Sequence, residues 1–202
     1  MALFPRADEF FGQTVIGIDE AGRGPLAGPV VAAGVVLDPD HPISGLNDSK
    51  VLKESVREGL YQEIMAHALF VSVQEVDAET IDRINILQAT LLAMKKVIIE
   101  CAARLPLDVA LIDGNQTVPG LPSVRQIAWI KGDSEVQCIM AASIIAKVHR
   151  DRIMKSYDQA FPGYGFLAHK GYGTKVHIEA IKTLGPCKIH RRSFAPIKGL
   201  PL

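Results

Sequence analysis

Thr14-Val-Ile-Gly-Ile-Asp19-Glu20-Ala-Gly22-Arg23-Gly24-Pro-Leu-Ala-Gly28 decides how this chain is to be read. Val15, Ile16 and Ile18 are β-branched and favour a buried strand. A core strand that finishes in two carboxylates must pair them or use them, because an unpaired buried charge is costly. Glycines at 22, 24 and 28 let backbone amides approach a ligand with no Cβ in the way. The pattern recurs twice. Leu111-Ile112-Asp113-Gly114-Asn115 and Trp129-Ile130-Lys131-Gly132-Asp133-Ser134 each set an acid and a glycine after an apolar run. Three strand ends that deliver acids make a site for a hard cation, which prefers oxygen ligands.

Outward from that stretch, residues 14–20 read as a first strand and residues 28–37 as a second, joined by a turn short enough for antiparallel pairing. Residues 38–49 form a loop whose last residue, Ser49, is expected to cap a helix through Leu52, Val56, Leu60, Ile64 and Met65. Residues 69–75 alternate like a third strand. Ile84, Leu87, Leu91, Met94, Val97 and Ile98 recur at helical spacing and predict one long helix from Asp77 to about Arg104, ended by Pro106. Strands are expected at 108–113 and 124–130, with a loop over 114–122. Asp133 is expected to open a long helix through Ile139, Ala142, Ile145, Ala146 and Ile153, where a first-turn acid also suits the helix dipole. A loop rich in glycine and aromatics follows over 161–173, and Thr174 caps a last helix through Leu184. No repeat or low-complexity linker divides the chain. Three adjacent strands followed by alternating strands and helices predict one mixed α/β sheet with helices on its faces.

The 202 residues are 48% hydrophobic, ample for a core. Lys+Arg and Asp+Glu both number 22, yet residues 1–130 carry a net −7 and residues 131–202 a net +7. An acidic metal-holding centre beside a basic polyanion-binding flank gives such a split. Cys101, Cys138 and Cys187 lie far apart without CxxC spacing, as in a reducing compartment, and no His/Cys set has zinc spacing. The start, Met1 to Glu9, lacks a basic region followed by a long apolar one, and Gly28 to Leu37, the longest nearly apolar stretch, is too short to span a bilayer. A cytoplasmic protein with no membrane partner is expected.

Gly22-x-Gly24-x-x-Ala27 after a strand has the form of a dinucleotide-binding fingerprint. Its context argues against that reading, because Pro25 and Pro29 oppose the required helix and Asp19-Glu20 would face a pyrophosphate. Seven motifs in order point elsewhere: the Gly17–Val31 segment, Asn47-Asp-Ser-Lys50, Asp113-Gly-Asn115, Lys131-Gly-Asp-Ser134, Ala141-Ala-Ser-Ile-Ile-Ala-Lys147, His169-Lys-Gly-Tyr172 and His190-Arg-Arg-Ser-Phe194. Together they resemble the bacterial type 2 ribonucleases H (ribonuclease HII) over roughly residues 14–197.

The resemblance implies a ribonuclease H-like fold, a five-stranded mixed sheet flanked by helices. It divides the chain into an N-terminal lead (1–13), a catalytic domain (14–160) and a helical C-terminal extension packed on it (161–202). It implies an endoribonuclease that cuts the RNA strand of RNA–DNA hybrids and incises 5′ of single ribonucleotides in duplex DNA, leaving 5′-phosphate and 3′-hydroxyl ends. The cofactor implied is Mn²⁺ or Mg²⁺, the metal and catalytic residues are Asp19, Glu20, Asp113 and Asp133, and the protein is expected to be a monomer. The backbone of Gly22-Arg23-Gly24 and the ring of Tyr172 are implied to contact the ribonucleotide at the RNA-to-DNA junction.

The chemistry agrees with these residue types. In-line displacement at a phosphodiester needs an activated water and a stabilised leaving oxygen, which two divalent ions about 3.5–4 Å apart supply. In this reading Asp19 bridges the ions, Asp113 and Asp133 bind on either side, and Glu20 helps hold one ion or its water. Telling RNA from DNA means reading the 2′-hydroxyl. Lys50, Lys147, Lys170, Arg191 and Arg192 are candidate phosphate contacts, and Asn115 and Ser134, beside two of the acids, are expected to orient ligands or phosphate oxygens. His169 and His190 stay outside the catalytic set. Glu135 and Cys138-Ile139-Met140 depart from the family pattern near the site. Two alternatives stand beside it: a type 3-like ribonuclease H of the same fold class acting on long hybrids, and a nucleic-acid-binding module without turnover, in which the acids are structural.

Overall fold

Ile16 and Ile18 leave one side of the first strand, β1 (Val15–Ala21), and Gly17 and Asp19 leave the other, as the two-residue strand period requires. This computed structural model, which describes residues 10 and 12–199, is organised around that strand. β2 (Val30–Val36), β3 (Phe70–Val76), β4 (Val109–Asp113) and β5 (Arg125–Trp129) complete a five-stranded sheet in the order β3-β2-β1-β4-β5. β1 pairs antiparallel with β2 and parallel with β4, and β4 pairs parallel with β5. The expected mixed sheet is thus observed.

Helices cover both faces. Against one, α3 (Ile86–Arg104) packs Val97, Ile98 and Cys101 onto Ile16, Ile18, Ala32 and Ile112. Against the other, α1 (Glu54–His67) and α5 (Gln137–Ala160) pack Leu60, Ile64, Ala141, Ile144 and Ile145 onto Val31, Ala33 and Val35. Glycine sets how near α5 can come. A Cβ on Gly17 would lie 2.2 Å from the carbonyl carbon of Cys138, so the helix backbone rests directly on the strand.

Three expectations are corrected at helix starts. The helix expected over 77–104 is two, α2 (Ala78–Ile84) and α3, separated by Asn85 at φ 67°. Asparagine tolerates that left-handed geometry, and its side chain accepts the Gln88 N–H at 3.1 Å, so it stops one helix and caps the next. Ser49 caps nothing. It is buried, its hydroxyl lies 2.8 Å from that of Ser143, and α1 begins after Lys53. Asp133 belongs to a separate single turn, α4 (Gly132–Glu135), which Val136 in extended geometry divides from α5.

The C-terminal part carries α6 (Phe166–His169), α7 (Lys175–Leu184) and a 3-10 turn, Ile197–Gly199. Thr174 caps α7 as expected, accepting the His177 N–H at 3.3 Å. Tyr164, Phe166, Ile181 and Ile189 pack with Leu26, Ala27 and Met154. Three backbone bonds join this part to the loop after β1: Leu26 N–H to Gly171 O, Gly28 N–H to Ile189 O and Arg191 N–H to Leu26 O, at 2.8, 2.9 and 2.8 Å. Among the described residues no helix is long and apolar enough to cross a membrane. The sequence readings at residues 1–9 and at 200–202 lie outside the described residues.

Candidate metal and substrate site

The carboxyl ends of adjacent parallel strands are where an open sheet exposes a crevice. Ile18 pairs with Ile112, so the next residues, Asp19 and Asp113, emerge side by side at the ends of β1 and β4. α4 brings the third acid. The backbone N–H of Asp133 donates to Asp113 Oδ1 at 3.3 Å, and Asp19, Asp113 and Asp133 offer carboxylate oxygens all within 4.8 Å of one another. Burial, then the charges of Glu20 and Asp113, push the Asp19 carboxyl well above its usual range, and burial followed by Asp133 raises Asp113. An all-oxygen set of mutually repelling carboxylates fits a divalent hard cation.

One basic side chain already meets this cluster. Lys50 Nζ lies 2.7 Å from Asp133 Oδ2. Burial would lower the ammonium pKa, but the hydrogen bond and charge of Asp133 outweigh it and the net shift is upward. Asp19 has its own support. The Ser143 side chain and the Glu20 N–H, which donates to Asp19 Oδ1 at 2.7 Å, oppose the rise in its pKa, and the hydroxyls of Ser49 and Ser143 lie 2.8 Å apart. Both serines lie within sequence motifs, and Ser143 stands out there as a polar residue on the apolar face of α5.

Glu20 takes the opposite side of β1, towards α3, as the strand period requires, and is not one of the three converging acids. Burial raises its pKa against the opposing charge of Arg23, whose Nη1 lies 3.3 Å from Oε1. Glu20 and Asp113 border a small cavity of about 50 Å³ shared with Asn115, Leu87, Leu91 and Met94.

A larger cleft of about 270 Å³ opens over Asp19, Glu20 and Asp113. Gly22, Arg23, Gly24, Lys50, Lys147 and Tyr172 border it. Tyr172 is exposed, and a Cβ on Gly24 would be 3.7 Å from its ring, so the glycine loop and the tyrosine face each other. Lys147 is partly buried and ion-paired with Asp151 at 2.7 Å. The remaining candidates sit elsewhere. The Ser134 hydroxyl donates to Lys131 O at 3.0 Å, Lys170 Nζ donates to Leu167 O at 2.6 Å, and Arg192 is exposed beside Asp82.

Arg191 requires a correction. It is 0% exposed, so it cannot reach a phosphate; its guanidinium donates instead to the carbonyls of Gly22, Arg23 and Gly28. Arg150, which sequence reading missed, is 1% exposed and donates to Ala27, Pro29 and Lys170. Its signal was an arginine one turn beyond Ala146 on the apolar stripe of α5. Glu135 accepts the indole N–H of Trp129 at 3.1 Å, and burial pushes the Cys138 thiol up to about 12.

Next to Tyr172 lie three neighbouring histidine rings, of which His169 and His177 are stacked and His190 is tilted against His177. The ring centroids of His169 and His177 are 4.3 Å apart and those of His177 and His190 are 5.2 Å apart. Their contacts define a directional chain: Cys187 N–H to His190 Nδ1 at 3.0 Å, His190 Nε2 to His177 Nε2 at 3.1 Å, and His177 Nδ1 to Tyr172 O at 2.9 Å. All three contacts are satisfied when both rings are neutral.

Residues 16–197 match the family model described as Ribonuclease HII. The chain is 56% identical to a ribonuclease HII of Delftia acidovorans over 91% of its own length and 76% of that protein's. Among solved structures it is similar to the ribonuclease HII of the PCNA complex from Archaeoglobus fulgidus, with a TM-score of 0.73 and 30% identity over 88% of this chain and 93% of that one. It also shares its fold with a Bst ribonuclease HIII in complex with Mn²⁺, at a TM-score of 0.74 and 21% identity over 95% of this chain and 70% of that one.

Proposed function

This chain belongs to the ribonuclease HII family, and from that premise we propose that Asp19, Glu20, Asp113 and Asp133 are its catalytic acids and metal ligands. It is an endoribonuclease, a hydrolase that cuts the RNA strand of RNA–DNA hybrids and depends on a divalent metal. One observation supports the residue assignment above others: three acids from three separate segments offer oxygens within 4.8 Å of one another, and two of them, Asp19 and Asp113, line the cleft.

Bound divalent ions supply an activated water and stabilise the leaving oxygen. The protein's own residues prepare the rest. Asp19, Asp113 and Asp133 would hold the ions between them, and Glu20 would help hold one ion or its water. Lys50 keeps Asp133 oriented and presents positive charge to the substrate strand. Gly24 and Tyr172, facing each other, grip the ribonucleotide, so the substrates include DNA duplexes with a single ribonucleotide, cut on its 5′ side to leave 5′-phosphate and 3′-hydroxyl ends. The working ion is Mn²⁺ or Mg²⁺, and the enzyme acts as a cytoplasmic monomer with no membrane partner.

The test is cleavage of an end-labelled duplex containing one ribonucleotide, with Mg²⁺, with Mn²⁺ and with chelator, for the wild type and Asp113→Asn. Metal-dependent incision 5′ of the ribonucleotide, reduced at least a hundredfold in the variant, is expected. Cutting confined to long hybrids would refute the role given to Gly24 and Tyr172, and an undiminished Asp113→Asn would refute the acid assignment.

A further inference from the structure

Two guanidiniums are buried beneath the glycine loop with only carbonyl oxygens for acceptors. Arg150 donates to Pro29, Lys170 and Ala27, each at 3.0 Å. Arg191 donates through Nε to Gly28 at 3.0 Å, through Nη1 to Arg23 at 2.8 Å, and through Nη2 to Gly22 at 2.5 Å and Gly28 at 2.9 Å. Burial, then the charge of Arg150, lowers the Arg191 pKa to about 9. Two desolvated like charges add to the cost of folding, and a core that needed only volume would use apolar residues there.

The planar fork of arginine explains its use at this point. In a trans peptide the carbonyl and the following N–H point in opposite directions. Arg191 draws inward the carbonyls of Gly22 and Arg23, which share peptide planes with the amides of Arg23 and Gly24. Those two amides are therefore turned outward. Arg23 and Gly24 are exposed, both border the cleft, and neither amide has a hydrogen-bond partner among the described residues.

We propose that Arg191, braced by Arg150, is a positioning residue that aims the Arg23 and Gly24 amides at the ribose 2′-hydroxyl and so sets discrimination between ribonucleotide and deoxyribonucleotide. The proposal rests on the ribonucleotide-reading function given above. Lysine in place of Arg191 keeps a cation but has no planar fork to hold two peptide planes at once.

The test compares Arg191→Lys with its parent, both carrying Asp113→Asn to stop turnover, by fluorescence anisotropy in Mn²⁺. The probes are a DNA duplex with one ribonucleotide and the same duplex all-deoxy. The parent is expected to prefer the ribonucleotide duplex by about tenfold, the effect of one or two well-aimed hydrogen bonds, and Arg191→Lys to bring that ratio within about twofold while its affinity for the all-deoxy duplex persists. A preserved ratio overturns the proposal, and so does equal weakening on both duplexes, which a purely structural role would give. A parent with no preference overturns the ribonucleotide reading itself and the positioning role with it. Should Arg191→Lys not fold by circular dichroism, amide NMR of the parent decides: Arg23 and Gly24 resonances that move with the ribonucleotide duplex and not with the all-deoxy one support the assignment, and equal movement overturns it.

Discussion

Gly17→Ala would disturb the site without touching any residue that forms it. The added Cβ would lie 2.2 Å from the carbonyl carbon of Cys138 and 2.4 Å from both its oxygen and the Ile139 nitrogen. Ordinary carbon contact begins near 3.5 Å, so strand and helix must part by about 1.3 Å. Both obstacles are backbone, and neither can rotate away. Overpacking of this kind costs about 1–3 kcal/mol, and for a chain of this size that lowers Tm by roughly 3–10 °C. The functional effect is larger, because the clash lies two residues from Asp19 on one side and five residues from Asp133 on the other. A displacement near 1 Å costs roughly a hundredfold in rate. Calorimetry and single-turnover cleavage give both numbers, and Gly59→Ala is the control. A Cβ at Gly59, within α1, meets nothing within 4 Å, so that variant should gain about 0.5–1 kcal/mol at unchanged activity. A Gly17→Ala protein within 1 °C and twofold of the wild type would refute the argument that helix and strand touch through backbone.

Lys50→Ala should lower the cleavage rate about tenfold by freeing Asp133 while Tm moves by no more than about 4 °C, because an ion pair with an exposed lysine contributes at most about 1 kcal/mol; a larger fall in Tm with no fall in rate would reverse that assignment. The histidine chain predicts acid sensitivity. Burial, then His177, lowers His190 from 6.5 to about 4, so the unfolded chain binds the extra proton first and stability falls as pH drops from about 6.5 towards 4, by roughly 3 kcal/mol for this group. Thermal unfolding at pH 7.5 and pH 5 should show this loss diminished in His190→Asn, and an identical loss in the variant would remove His190 as its source.

Strand periodicity and the repeated acid-glycine ends brought out the sheet and three carboxylates that do converge, because period and chain punctuation are local properties. Depth is not local. Arg191 beside Arg192 reads as a basic cluster, yet one is sealed under a loop and the other is exposed, and nothing in the sequence separates a guanidinium meant for phosphate from one that binds six-atom peptide planes. Asn85 escaped for a related reason: the apolar period runs on through it, so the pattern of α3 hides a break made by one left-handed residue. Ser49 carried a correct cap chemistry in the wrong place, since its partner, Ser143, lies 94 residues away.

β1 has a strand on each side and a helix against each face. Its amides should be among the last to exchange with solvent, since such a strand opens only when the whole domain does. Asp19 shares that protection, and Asp113 has it through the neighbouring β4. Tyr172 lies outside the sheet, on a C-terminal segment tied on by loop hydrogen bonds, by the buried Arg191 and by the packing of Phe166 and Ile181 against Leu26 and Met154. Its amide should therefore exchange sooner than those of β1, so that on heating the proposed recognition contact loosens while the acids are still assembled.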